Sequence, residues 1–301
     1  MILLPALVAG VLANASLVDD VRNRAAHGDF AAAEQEVRAY QAQNGTNAEL
    51  AAALSWLARG EFDAGRYNEA ETYAAEARRV ATALSGGRPA DANPSLETAL
   101  GAAIEVHAKV LAARGQRAQA VAYLRGELTA FAKTGLAERI QKNINLLGLV
   151  GAAAPALDVA NWLGPKPVGL AALRGHPVLL FFWAHWCPDC KAEAPVLADL
   201  MRSYGSKGLV LVGPTKLYGF EAQGEPATPE LETQYIEAVR RAFYGSLPGM
   251  AVPVSGANFR AYGASTTPTL VLIDAKGVVQ FYHPGAVAEG ELAAKIEAAL
   301  R

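Results

Sequence analysis

The chain has only two cysteines in 301 residues, Cys187 and Cys190, and this scarcity excludes most structural uses of the residue. A disulfide framework is built from several pairs. One bridge closing so short a loop would remove only about 2 kcal/mol of unfolded-state entropy, against about 4.7 for a 100-residue loop. A structural zinc site needs four ligands, and a second cysteine pair is missing. Covalent haem attachment needs histidine directly after the second cysteine, where Lys191 stands. The chemistry left to the pair is redox exchange.

Charge of one sign is lacking as well. The 27 basic and 29 acidic residues leave a formal charge of −2, spread evenly over the two halves. No basic stripe marks a nucleic-acid surface, so nucleic acid is set aside as a partner. Long apolar runs are missing too. Residues 1–18 are apolar, but Pro5 and Gly10 interrupt a stretch already short for a bilayer. It has the length of a signal-peptide core, and Ala13-Asn14-Ala15 offers a small-residue cleavage site. No Lys or Arg precedes it; the first is Arg22. Residues 1–15 are therefore read as an atypical signal peptide, and the protein as periplasmic or otherwise extracytoplasmic. A buried helix and an uncleaved anchor are the alternatives.

What is present centres on residues 181–193, Phe-Phe-Trp-Ala-His-Trp-Cys-Pro-Asp-Cys-Lys-Ala-Glu. The apolar run Val178 to Trp183 reads as a buried strand. Pro188 stands where the first turn of a helix tolerates proline. Cys187 then sits at a helix N-terminus, where unpaired backbone N–H groups and the positive end of the dipole stabilise a thiolate. Cys190 lies on the same face, three residues on. Cys187, beside Trp186, is expected to be the more exposed sulfur and the attacking thiolate. Cys190, one turn deeper, is the resolving thiol.

With 52% apolar and 19% charged residues, this length suggests two globular domains. From Asp19 to about Leu149 the chain is alanine-rich and helical in period. Gly28-Asp-Phe-Ala-Ala-Ala33, Gly65-Arg-Tyr-Asn-Glu-Ala70 and Gly115-Gln-Arg-Ala-Gln-Ala120 repeat one pattern. Glycine turns the chain, an aromatic (missing at Arg117) packs beneath, and alanine lets the next helix approach. This resembles tetratricopeptide repeats, although the glycines are unevenly spaced and a loop occupies residues 85–94. Stacked helix pairs make a concave surface for a protein partner; the plainer reading is a bundle that supports its neighbour. His27 and His107 are read as ordinary helical histidines.

The small-residue segment 148–155 places a boundary near 150, giving a helical domain over 16–150 and a second domain over 151–301. In the second, Leu209 to Gly213 reads as a strand and Pro214 to about Thr228 as a long loop. A helix then starts at Pro229. The loop leaves its strand at the same edge as Cys187, so Lys216, Tyr218 and Phe220 either border the substrate or form a surface insertion. A hairpin over Thr269 to Tyr282 and a helix over Glu289 to Leu300 complete the chain.

The run Phe182 to Pro195, the strand before it and Thr267-Pro268-Thr269 resemble the thioredoxin superfamily, most closely its TlpA/ResA-like branch of extracytoplasmic thiol–disulfide oxidoreductases. The resemblance covers roughly 151–301 and implies an α/β domain, a central mixed sheet flanked by helices, beside the α-helical repeat domain. It implies a short hairpin over 156–175 ahead of the first core strand, and a cis proline at Pro268 against the dithiol. It makes Trp186, Thr267 and Pro268 substrate-binding residues, with the Thr267 backbone free to pair with an extended peptide. Thioredoxins proper carry a buried Asp where this chain has Phe181. The TlpA/ResA branch has a glutamate where this chain has Glu193, which would shuttle the Cys190 proton.

No cofactor or metal is implied beyond the redox-active disulfide. The implied partners are protein disulfides, a membrane thiol-reductant donor and a protein bound by the helical repeats. Asp189 between the cysteines should raise the thiolate pKa, which favours reduction over oxidation, while Lys191 pulls weakly the other way. Three alternatives are weaker. A peroxiredoxin-like peroxidase would want threonine where Ala184 stands, and a copper chaperone a wider cysteine spacing. The third is an interaction scaffold with a secondary redox domain.

Overall fold

The computed structural model describes residues 16–86 and 93–301. The signal-peptide reading of residues 1–15 lies outside the described residues. The chain forms two compact units, residues 1–110 and 111–301. The second takes in more than the α/β fold: two further helices ahead of residue 150 belong to it.

The first unit is helical. Its helices are α1 (Leu17–Ala26), α2 (Phe30–Asn44), α3 (Ala48–Asp63), α4 (Tyr67–Ser85) and most of α5 (Pro94–Ala113). The first three start on polar side chains that satisfy free N–H groups: Ser16, Asp29 and Asn47 each accept from a backbone N–H in the first turn. Between α1 and α2, and between α3 and α4, Gly28 and Gly65 hold φ at +76°. Gly115, in the turn before α6 (Arg117–Ala130), holds +79°. An L side chain rarely adopts this conformation, so glycine makes these turns. The repeated alanines Ala33, Ala70 and Ala120 are all fully buried. Of the two helical histidines, His107 meets the Glu71 carboxylate, and His27 Nδ1 lies 2.8 Å from the Asn23 carbonyl.

The second unit opens with α6 and α7 (Leu136–Gly148), followed by a mixed four-stranded sheet. Strand β2 (Val178–Phe182) is central. It pairs in parallel with β3 (Val210–Val212) and antiparallel with β5 (Thr269–Ile273), which pairs antiparallel with β6 (Val279–Pro284). Along β2, Leu179 and Phe181 enter one core cluster while Val178, Leu180 and Phe182 enter the other. The period-two alternation thus buries both faces of the strand, which is why the sequence reads as an unbroken apolar run. The first cluster is closed by α9 (Ala194–Tyr204), α10 (Pro229–Tyr244) and α12 (Glu289–Ala299), the second by α11 (Gly256–Tyr262) and the segment around Leu149 and Leu157.

The hairpin expected over 156–175 does not form. Trp162–Leu163 (β1) pairs instead with Val252–Pro253 (β4), and Leu170–Leu173 is a short 3-10 turn. The segment's polar groups go to distant partners instead: the Asn258 amide bonds both the N–H and the carbonyl of Asp158, at 2.7 and 2.8 Å, and the Asn161 carbonyl accepts the Val254 N–H at 2.8 Å.

Helix α7 lies directly on the α/β fold. Gly263, at φ +57°, lets α7 come so close that a Cβ there would stand 2.2 Å from the Lys142 nitrogen. Glu138 of α7 pairs with Lys216 at 2.9 Å, reaching the loop after β3.

Candidate active site

The active-site helix starts where strand β2 ends. Cys187 is the N-cap of α8 (Pro188–Ala192), with Pro188 in the first turn, and its sulfur accepts the Cys190 N–H at 3.1 Å. A thiolate in this position meets a backbone donor and the positive end of the helix. Cys187 and Cys190 form a disulfide, with their Cα atoms 5.3 Å apart. Both sulfur residues are buried, Cys187 at 2% exposure and Cys190 at 0%. The expected asymmetry between them is therefore small. The exposed group is Trp186, at 47%.

Helices α8 and α9 share one course, broken at Glu193. Pro195 has no N–H for the ladder, so Pro188 to Tyr204 forms two helices rather than one. The break turns Glu193 inward. The residue is 5% exposed, and its carboxylate accepts the Val287 N–H at 3.1 Å. Burial pushes its pKa up, the Val287 hydrogen bond opposes this, and Asp189 adds a smaller upward push. A carboxyl raised in this way accepts a proton more readily than an exposed carboxylate does.

Thr267 and Pro268 approach from the segment before β5. Their peptide bond is cis, and the Thr267 carbonyl oxygen lies 3.4 Å from Cys187 Sγ. Gly285 donates its N–H to the Pro268 carbonyl at 2.8 Å, which fixes this turn to β6. The structure thus brings Trp186, Cys187, Cys190, Glu193, Thr267 and Pro268 to one end of the sheet.

Sequence reasoning passed over two residues here. His185, two positions before Cys187, is fully buried, with Nε2 3.2 Å from Glu232 Oε1. Burial lowers its pKa, with the Glu232 contact opposing, so the ring is neutral at pH 7. A histidine inside an apolar run was the available signal; Glu232, 47 positions away, gave none. Of the loop residues singled out, Tyr218 and Phe220 pack on the His185 ring, while Lys216 is taken by Glu138. Among the described residues, no group of three His, Cys, Asp or Glu side chains could hold a metal ion. Ala184, fully buried, stands where a peroxidase would want threonine.

Residues 150–216 match the AhpC/TSA family model. The thiol:disulfide interchange protein DsbE of Pseudomonas fluorescens biotype C is 33% identical over 159 residues, which span 50% of this chain and 77% of that protein. The thioredoxin-like protein YneN of Bacillus subtilis is 28% identical over 148 residues, 49% of this chain and 78% of that one. A thiol:disulfide interchange protein of the thioredoxin family from Chlorobium tepidum, of known structure, covers 50% of this chain and 97% of its own, at 20% identity and a TM-score of 0.39. With the dithiol at a helix N-cap beside a cis proline, and a third of the residues shared along most of a DsbE chain, the protein belongs to the thioredoxin-like thiol:disulfide interchange family and is a thiol–disulfide oxidoreductase.

Proposed function

We propose that the protein reduces protein disulfides outside the cytoplasm, with Cys187 as the attacking sulfur. The observation that carries this reading is the Cys190 N–H directed at Cys187 Sγ, 3.1 Å away at the helix start. In the reduced protein the Cys187 thiolate attacks one sulfur of a substrate disulfide. The substrate S–S bond breaks, its second sulfur leaves as a thiolate, and a mixed disulfide joins Cys187 to the substrate. Cys190 then gives its proton to the Glu193 carboxylate and attacks Cys187 Sγ. The mixed disulfide breaks, the remaining substrate sulfur leaves as a thiolate, and the Cys187–Cys190 disulfide is left; the two substrate thiolates become a dithiol with one proton from Glu193 and one from solvent. Two electrons have passed to the substrate, and a membrane thiol-reductant donor returns them.

The Thr267 carbonyl beside the sulfur supports an extended peptide as the substrate's form, bound along Thr267 and Pro268 and against Trp186. Asp189 next to the thiolate disfavours the reduced, charged form and so favours a reductant. The helical half, with its glycine-turned hairpins, would hold a protein partner. Extracytoplasmic placement rests on the resemblance to the TlpA/ResA branch and on residues 1–15. No described helix is long and apolar enough to cross a membrane.

The test is trapping. Cys190→Ser protein, incubated with an oxidised protein substrate, should accumulate a mixed disulfide at Cys187, visible on a non-reducing gel and absent in Cys187→Ser. Trapping by Cys187→Ser instead would reverse the two roles.

A further inference from the structure

Among the described residues, His185 and Glu232 are buried at 0% and 1% exposure beside the dithiol, and the exchange chemistry above uses neither. Their geometry ties two chain segments together. His185 lies in the turn from β2 to α8, its ring edge-on to Tyr218, Phe220 and Tyr235 at 5.6, 5.3 and 5.3 Å. A carboxylate only accepts, so the neutral ring donates from Nε2 to Glu232 Oε1. The same carboxylate accepts the backbone N–H of Tyr218 at 2.5 Å and of Gly219 at 2.8 Å. Three donors from two segments thus converge on one buried group: the active-site turn from one side, the loop after β3 from the other.

The consequence lies at the surface. Tyr218 meets the Trp186 ring edge-on at 5.5 Å. Trp186, next to Cys187 in the chain, is 47% exposed, and Leu217, beside Tyr218 in the loop, is 38% exposed, so both segments carry an apolar side chain on the outside.

We propose that His185 and Glu232 are positioning residues that clip the 216–220 loop to Trp186, and so build the apolar surface on which a polypeptide disulfide docks before meeting Cys187. This rests on the reading of Cys187 as the attacking sulfur. A polypeptide uses that surface; a small disulfide reaches the sulfur without it. Losing the clip therefore raises KM for protein substrates and leaves small disulfides and the redox couple unchanged.

The experiment compares wild type, His185→Phe, His185→Gln and Glu232→Gln in the reduction of insulin and of oxidised glutathione, with midpoint potentials measured alongside. Phenylalanine keeps the ring packing and removes the donor; glutamine can place an amide N–H where Nε2 stands. His185→Phe should raise the insulin KM about tenfold, or about 1.4 kcal/mol of binding, with the glutathione rate and the potential at wild-type values. His185→Gln should return KM towards wild type, and trypsin should cut after Lys216 faster in the phenylalanine variant. An unchanged insulin KM in His185→Phe overturns the proposal, as does a glutathione rate that falls in step with the insulin rate. If His185→Phe does not fold, Glu232→Gln decides: a raised insulin KM supports the clip, and an unchanged one overturns it. A wild type that reduces neither disulfide would instead remove the functional reading on which the clip depends.

Discussion

At the scale of single residues, the informative group is Glu193, because one burial event acts on both stability and chemistry. Its carboxyl pKa is raised in the folded protein. Between the unfolded value and that raised value, the folded state holds a proton that the unfolded state has released. Stability therefore falls as pH rises through this window, and the cost persists above it. Glu193→Gln removes the ionisation while keeping an acceptor for the Val287 N–H. The variant should melt above wild type at pH 8, and the difference should shrink as the pH falls from the raised value towards the unfolded one, with little left below about 4.5. In the same variant, resolution of the mixed disulfide should slow by about 100-fold in stopped-flow exchange, the size expected for a lost proton carrier. A melting difference without a rate effect would leave Glu193 a buried side chain and nothing more.

At the scale of elements, the contact between α7 and α11 is the tightest test of packing. Ala at position 263 would place its Cβ 2.2 Å from the Lys142 nitrogen and 2.6 Å from the Gln141 carbonyl carbon, at φ +57°. Backbone cannot yield as a flexible side chain can, so Gly263→Ala should lower stability by about 3 kcal/mol or more, overpacking and left-handed strain together. Gly115→Ala meets nothing within 4 Å and suffers only its φ of +79°, so it should cost about 1 kcal/mol. Denaturant melts of the two variants distinguish these cases.

The elements also show where the sequence was legible. Strand β2, the break at Pro195, the helix from Pro229 and the glycine turns were readable because each rests on a local rule: a doubly buried apolar run, a missing N–H, a proline start, a positive φ. The dithiol and its helix start were legible for the same reason. The segment over 156–175 was not, because its partners, Asn258 for Asp158 and Val252–Pro253 for Trp162–Leu163, lie far along the chain. The His185–Glu232 contact and the seat of α7 depend on equally distant partners, Glu232 and Gly263, whose types carry no local signature. The near-equal burial of the two cysteines is a property of the assembled site and not of the Cys-x-x-Cys spacing.

At the scale of the whole molecule, compactness and sequence punctuation divide the chain at different places. The small-residue segment 148–155 marks a boundary near 150, whereas the compact units meet at residues 110 and 111. Helix α7 supplies Glu138 to Lys216 and the backbone on which Gly263 packs. A fragment beginning at 111 should fold and exchange disulfides. One beginning at 151 loses that support and should melt lower, with slower reduction of protein substrates. Equal melting of the two fragments would make α7 dispensable to the catalytic fold.

The role of the whole protein turns on the direction in which electrons flow. The direct measurement is the midpoint potential of the Cys187/Cys190 couple, by equilibration in dithiol redox buffers. A value near about −270 mV is what a reductant requires, and is the value expected here. A value near about −120 mV would make the protein an oxidant and contradict both the role given to Asp189 and the reduction of protein disulfides.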